Sequence, residues 1–453
     1  MNAEEYATLD ATALAALVGT GDATVSEVRQ AATDQYRATH ATINAVVEWY
    51  DDPTSPVGPL GPEATGSDLR WGPLAGVPFL RKDYGSSEAG RLTEMGSRLA
   101  AGNRPGTTSE YYHRLQAAGI HVLGRSAVPE LIQHGSTESR VHGATRNPLD
   151  TTVSAGGSSG GAAAAVAAGV VPAAHASDCA GSIRIPAAAC GLYGLKPSRR
   201  AVPWAHGGWG GIAEEFVVTR SLRDTELFWS VLHPERAGAT GVSAASALRV
   251  AVSVDHWAGT DPDPDVVAAT LGVAAVFEHL GHSVEHIDQP VDNEQLMSAW
   301  HPLFSRWVAR DVRTLEAATG RKADAETLEP LTLSLLDEVD NLTVDDISAA
   351  QETQGEVTWR LDQSLASFDV LLTPTLGRST IPLGVIAGEI SSMDEYLRLN
   401  DETFPYSFLF NVAGWPAFSI PAPGHPAKRP MGVQLAARQG SERTLMAMAS
   451  QLL

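Results

Sequence analysis

Cysteine is almost missing from this chain. Cys179 and Cys190 are the whole supply, so at most one bridge could form and a disulfide framework is excluded. Their flanks, SDCAGS and AAACGL, are small-residue runs that read as buried packing. Lysine is nearly as scarce: Lys82, Lys196, Lys322 and Lys428 are the only four among 32 basic side chains. No Lys/Arg cluster offers a phosphate backbone a landing place, and 53 acidic residues with a formal charge of −21 repel one at long range. Long apolar runs are missing too, since the longest, residues 162–174, is alanine and glycine rather than leucine and is too short to span a bilayer. The opening MNAEE is acidic and lacks the basic and then apolar order of a secretory signal. These absences predict a cytoplasmic protein with neither nucleic acid nor membrane as partner.

What is present is the composition of a folded body: 453 residues, 43% hydrophobic and 19% charged. The first fifty residues carry helical spacing, with Leu9, Leu14 and Leu17 on one face and Val28, Ala31 and Tyr36 following a predicted N-cap at Ser26. A Pro/Gly-rich loop over 51–72 leads to a predicted buried strand over 74–80, which ends in Arg81-Lys82-Asp83. Helical (109–118), extended (120–124), helical (162–169) and extended (170–174) patterns then alternate. Residues 247–254 and 370–373 add strands, and 294–365 is mostly helical. Alternation of this kind predicts an α/β fold with helices over a largely parallel sheet. No fixed-period repeat or long linker divides the chain, so a single domain over 1–453 is expected. The Asp261-Pro-Asp263-Pro-Asp265 run lacks the glycine and terminal glutamate of a calcium loop and reads as a turn capping the next helix.

Two stretches could carry chemistry. Residues 154–169, SAGGSSGGAAAAVAAG, place the pair Ser158 and Ser159 at the mouth of a small-residue helix whose N-terminus offers unpaired N–H groups. Simple close packing is the bland alternative and, for such a helix alone, the commoner one. Residues 177–186, SDCAGSIRIP, put Ser182 after small residues whose N–H groups can converge on one point, as an oxyanion needs, with Asp178 and Arg184 on either side. An ordinary turn held by that ion pair is an equal reading. A serine needs a base. None of the 14 histidines sits in a motif that recommends it. Lys82 does, because a lysine ending a buried strand is desolvated toward a neutral amine; snorkelling to the surface or pairing with Asp83 is the common fate it would have to escape.

Taken together these pieces resemble the amidase signature family. The resemblance rests on ordered blocks: GPLAGVPFLRKD (72–83), GATRNPLD (143–150), the two stretches above continuing as AAACGLYGLKPS, FDVLLTPT (368–375), FNVAGWPAFSIPAP (410–423) and MGVQLAAR (431–438). It implies an amidase signature fold, a large mixed, mostly parallel β-sheet covered by helices on both faces. N-terminal helices would occupy 1–70, a signature core 72–225, a variable helical segment 290–365 and a returning core 370–453. It further implies Ser182 as nucleophile, Lys82 as base, and Ser158 as bridging serine in a cis peptide after Gly157. The N–H groups of Cys179, Ala180, Gly181 and Ser182 would form the oxyanion hole, supported by Gly157, Ser159, Asp178 and Arg184. The implied activity is hydrolysis of a small-molecule carboxylic amide through a Ser182 acyl-enzyme, without metal or organic cofactor, and with a homodimer left open.

Some residues depart from the family pattern. Ala180-Gly181 stands where two glycines are common, a feature shared with members acting on aryl amides and nylon-type oligomers. FVVTRSL (216–222) replaces a usual Gly-Pro-x-Ala-Arg-Ser-Val, implying an altered pocket wall. The loop PWAHGGWGG (203–211) offers Trp204, His206 and Trp209 as substrate-binding residues, while Trp300, Phe304 and Trp307 form a second candidate wall. Few charges besides Glu214 and Glu215 occur there, which favours an uncharged or cationic amide. Rival readings are a histidine-dependent hydrolase with Ser159 in a G-x-S-x-G elbow, a phosphate loop that lacks its Lys-Ser/Thr, an acyl transferase, and a catalytic subunit of an amidotransferase complex, against which Ile185 replaces the glutamine usual there.

Overall fold

The computed structural model describes residues 1–54, 72–204, 209–233, 247–255, 257–426 and 428–453. Its centre is an eleven-stranded sheet in the order Val46–Thr54, His121–Ser126, Pro78–Lys82, Ala173–Asp178, Glu214–Thr219, Tyr193–Lys196, Ala417–Pro421, Gly432–Ala436, Val370–Pro374, Arg249–Val252, Ser283–His286. Alternate residues of one strand feed different cores. Val250, Val252, Val370 and Leu372 join one apolar cluster, whereas Ala251 and Leu371 join the other, as the period-2 geometry of strands requires. Helices Leu222–Leu232, Pro264–His279 and Glu442–Ser450 supply Phe228, Phe277 and Leu445 to the first cluster; Asn293–Thr319 and Val344–Ser364 supply Leu303, Phe304 and Val357 to the second. The expected α/β fold with helices over both faces of a large mixed sheet is therefore observed.

The parallel pairing is confined to two blocks. His121–Ser126, Pro78–Lys82 and Ala173–Asp178 run parallel, and so do Val370–Pro374, Arg249–Val252 and Ser283–His286. The middle of the sheet is antiparallel throughout, as is the edge strand Val46–Thr54. Connection chemistry explains the division: Arg249–Val252 returns through the helix Pro264–His279, a crossover that parallel strands need, while Ala417–Pro421 turns directly into Gly432–Ala436. Parallel pairing thus holds in the blocks on either side of the centre and gives way to antiparallel pairing within it.

Local differences from expectation have local causes. Three helices, Ala3–Thr8, Ala11–Thr20 and Val25–Ile43, stand where two were expected. The third is capped by Thr24 in a capping box with Glu27, not by Ser26, because Thr24 can accept from the Glu27 N–H while Glu27 accepts in return. The strand expected over 74–80 starts at Pro78, after a turn through Gly76 at φ +68°. Asp263 does cap the helix Pro264–His279 by position, but its carboxylate accepts from Ser379 rather than from the helix.

The small-residue helix, Gly160–Ala167, is buried along its first seven residues. Close approach is obligatory there: a Cβ on Gly161 would sit 2.3 Å from Ala127 N and 2.6 Å from Ala45 O, both backbone atoms. Gly161→Ala should therefore destabilise the protein by about 1–3 kcal/mol. By contrast Gly272, in the helix Pro264–His279, has nothing within 4 Å of such a Cβ, and Gly272→Ala should stabilise by about 0.8–1 kcal/mol. Urea midpoints of the two variants, moving in opposite directions, check both statements.

Candidate active site

Lys82 ends the strand Pro78–Lys82, which lies between two other strands and is buried at all five positions. The side chain has no accessible surface. Its Nζ lies 2.9 Å from Ser158 Oγ, 2.8 Å from Ser159 Oγ and 2.9 Å from Ser177 Oγ. The pairing with Asp83 is not made, because Asp83 instead accepts from Arg125 at 2.8 Å. Burial pushes the Lys82 ammonium down from its ordinary 10.5 to about 7, against the opposing pull of Cys179, Asp178 and Glu215. The neighbouring strand residue His175 is also buried. Its Nδ1 lies 3.4 Å from the Lys82 backbone N and 3.1 Å from the Tyr112 hydroxyl, and burial lowers its pKa.

Ser158 follows a cis Gly157–Ser158 bond. A side chain on Gly157 would strike His134 O at 2.7 Å and Ser136 backbone at 2.8 Å, so glycine lets the serine loop sit against that segment. Ser159 Oγ donates to Ser177 O at 3.3 Å besides meeting Lys82. The first N–H groups of the helix behind them are occupied: Gly160 N donates to Thr137 Oγ1 and Gly161 N to Ala127 O. Two of the N–H groups expected to be unpaired from the sequence are thus taken. Among the described residues no histidine hydrogen-bonds Ser159, which removes the support for the G-x-S-x-G reading.

Ser182 stands on the turn after strand Ala173–Asp178 and is 5% exposed. Among the described residues its hydroxyl makes no hydrogen bond, and none joins it to Ser158. Asp178 organises the turn. Its carboxylate accepts from Gly181 N at 2.7 Å, Ile183 N at 3.2 Å, Arg184 Nε and Nη2 at 2.8 and 2.9 Å, and Asn411 Nδ2 at 2.9 Å. Burial alone would raise this carboxyl, but the charge and hydrogen bonds of Arg184, with Lys196 and Asn411 behind it, hold it at about 2. Gly181 has φ +111°, and a Cβ there would meet Ser407 at 2.7 Å.

The carbonyls of the same turn are each held from outside. Asn411 Nδ2 donates to Asp178 O at 3.0 Å, Trp300 Nε1 to Cys179 O at 3.0 Å and Ser407 Oγ to Ala180 O at 2.7 Å. The N–H groups of Cys179, Ala180 and Ser182 have no protein acceptor among the described residues. Gly181 N, expected from the sequence to face an oxyanion, instead donates to Asp178 at 2.7 Å. Trp300, Ser407, Asn411 and Gln434, which accepts from Arg184 Nη1 at 2.7 Å, were not singled out for the turn. Asn411 and Gln434 lie inside the quoted FNVAG and MGVQLAAR blocks, which was the available signal. Ser177, third partner of Lys82, was likewise in view without a role.

The outlying candidates divide. Trp204 is half-buried against the second apolar cluster, with its indole N–H buried and unpartnered among the described residues. His206 lies outside the described residues, and the Trp209 side chain does too. Trp300 and Phe304 are core, stacked at 4.4 Å. Glu214 and Glu215 are buried strand residues facing internal partners: Arg200 N donates to Glu214, and Ser86 N to Glu215 at 2.6 Å. They line no loop, so the charge preference read from them falls. Both cysteines are free and buried, and burial raises the Cys179 thiol to about 12. Among the described residues no group of His, Cys, Asp and Glu side chains could hold a metal ion, and no helix is long and apolar enough to cross a membrane.

Comparison with known proteins identifies the family. A family model described as Amidase matches residues 27–446. The chain is 30% identical to 6-aminohexanoate-cyclic-dimer hydrolase of Paenarthrobacter ureafaciens, over 98% of this chain and 94% of that protein. It is 31% identical to an acylamidase of Rhodococcus erythropolis, with the same two coverages. Among solved structures, 6-aminohexanoate cyclic dimer hydrolase complexed with substrate superposes with a TM-score of 0.85 at 29% identity, covering 98% of this chain and 96% of that one. A bacterial aryl acylamidase of the amidase signature family superposes at 0.79 and 26% identity, covering 97% and 95%. The chain belongs to the amidase signature family of amide hydrolases.

Proposed function

We propose that this protein hydrolyses the amide bond of a small linear or cyclic carboxamide, with Ser182 as nucleophile and Lys82 and Ser158 as its proton relay. The observation that carries the reading is the 2.9 Å contact between a water-excluded lysine amine and the Ser158 hydroxyl. Neutral Lys82 accepts the Ser158 proton while Ser158 accepts that of Ser182, and Ser182 Oγ bonds to the substrate carbonyl carbon. The last link requires the free Ser182 hydroxyl to rotate onto Ser158 when substrate arrives. The N–H groups of Cys179, Ala180 and Ser182 then face the tetrahedral oxygen. Lys82 returns its proton through Ser158 to the leaving nitrogen as the C–N bond breaks, since an amide anion is a poor leaving group. Water cleaves the acyl-enzyme by the same relay in reverse. The relatives named for a cyclic amide dimer and for acylamides support a neutral carboxamide as substrate class.

Three outcomes follow. Ser182→Ala lowers kcat/KM on a reporter anilide by at least about 10³-fold and Lys82→Ala by about 10²–10⁴-fold, and mass spectrometry of quenched wild type finds acyl adduct on Ser182. Retained turnover in Ser182→Ala together with its loss in Ser159→Ala would transfer the nucleophile to the other serine. The pH profile comes from the sign of the Lys82 shift: the active form is the neutral amine, so kcat/KM is level above about 7 and falls roughly tenfold per unit below it. A profile flat down to pH 5 would remove Lys82 from the base role. Finally, Trp300→Phe keeps the ring and deletes the donor to Cys179 O. It should lower kcat about tenfold with KM within about twofold, because the oxyanion donors lose their aim rather than their number.

A further inference from the structure

Helix Asn293–Thr319 carries Arg306, Arg310 and Arg313 at i, i+4 and i+7, three guanidinium groups on one face. They rim a groove of about 720 Å³ whose floor includes Leu303, Trp307 and Ile347. Arg310 lies over the Trp307 ring at 4.4 Å from its centroid. In a chain with 53 acidic side chains, none of these three guanidinium groups makes an ion pair or hydrogen bond among the described residues. Like charges one turn apart on a helix repel, and the long-range field of this acidic protein does not call for a solvated basic stripe. A concave, mostly apolar surface of this volume with a few convergent charges has the form of a small-molecule site, and the planar guanidinium fork suits a carboxylate.

We propose that this groove binds a small amphipathic carboxylate, its apolar body on Leu303, Trp307 and Ile347 and its carboxylate between the arginines. The lining of the groove starts at Leu303, three residues or about 4.5 Å along the helix axis from Trp300, whose indole donates to the Cys179 carbonyl in the turn before Ser182. The ligand is therefore either a free carboxylate or the anionic far end of an amide substrate. The second source rests on the reading given under Proposed function; the first does not.

Titration calorimetry of the full chain with 4-phenylbutyrate and with the uncharged 4-phenylbutan-1-ol tests the site without using turnover. The acid should bind at least tenfold more tightly than the alcohol. An Arg306→Gln/Arg310→Gln/Arg313→Gln variant should lose that tenfold while its affinity for the alcohol stays within about twofold. Added salt should weaken the acid alone. These are exposed helix positions, so the variant folds, as circular dichroism verifies. Equal binding of acid and alcohol, no binding of the acid, or acid binding untouched by the triple substitution would each overturn the proposal, the last by placing the acid elsewhere. The source is read from a pair of anilides with a terminal carboxylate or its methyl ester: a KM rise in the variant for the acid alone assigns the substrate's far end, and unchanged KM for both, with the calorimetric loss, assigns a free carboxylate. Absence of turnover on both anilides in wild type would remove the amidase reading and leave the calorimetric result standing.

Discussion

Lys82 has its amine closed off from water among three serine hydroxyls, and the chemistry of the site depends on what that enclosure excludes as much as on what it holds. Neutral hydroxyls satisfy the amine without fixing its charge, whereas a carboxylate at salt-bridge distance would keep it an ammonium. The nearest sequence neighbour able to do so, Asp83, is taken by Arg125 at 2.8 Å and accepts from Glu94 N at 2.8 Å. On the other side, Arg81 is equally buried but its guanidinium turns to Thr93, Tyr50 and the Leu92 carbonyl and lies 4.0 Å from the Glu88 carboxylate. Three consecutive charged residues thus sit in the core with separate partners, and only the middle one is left among neutral groups. That arrangement costs folding free energy, and a neutral base near pH 7 is what it leaves available.

The turn that carries Ser182 faces the opposite electrostatic difficulty. A carboxylate at Asp178 stands next to the place where negative charge would develop, and alone it would oppose that charge. Arg184 brackets it with two hydrogen bonds at 2.8 and 2.9 Å, so the pair acts near the site as a neutral clamp. The clamp also explains why Gly181 N–H is spent on Asp178: drawing that amide inward closes the turn, and φ +111° at Gly181 is the conformation that closure demands. The carbonyls of Cys179 and Ala180 are meanwhile held by Trp300 and Ser407, which fixes the orientation of the peptides that follow them.

Much of this was legible in the chain. The buried strand ending at Lys82, the serine pair before a small-residue helix and the glycine before Ser182 are local features, and each follows from burial or steric demand that a few neighbouring residues reveal. The sheet order and the antiparallel middle were less accessible, since short return connections between distant strands leave no periodic signature. The Gly181 N–H could not be placed from sequence because both of its fates, toward an oxyanion or toward Asp178, suit the same string of small residues. The Glu214 and Glu215 reading failed for a related reason: a pair of carboxylates in a strand looks like a loop charge until the partners Ser86 and Arg200, remote in sequence, are seen to meet them.

The geometry of the turn is in the end a tertiary property. Residues 177–186 contain the proposed nucleophile, the clamp and every proposed oxyanion donor, yet the donors that hold their peptides come from Trp300, Ser407 and Asn411, and Arg184 is steadied by Gln434 at 2.7 Å. This gives the FNVAG and MGVQLAAR segments a physical task that their apolar character hides. It also changes the standing of the helical segment over 290–365. A segment free to vary could be exchanged without touching the chemistry, but an indole from its helix Asn293–Thr319 holds the Cys179 carbonyl. The same helix lines the arginine groove from Leu303 onward. A single helix therefore has one contact at the Cys179 carbonyl and another at a surface groove, so substitutions on its outer face can reshape that groove while the indole contact to the buried turn is kept.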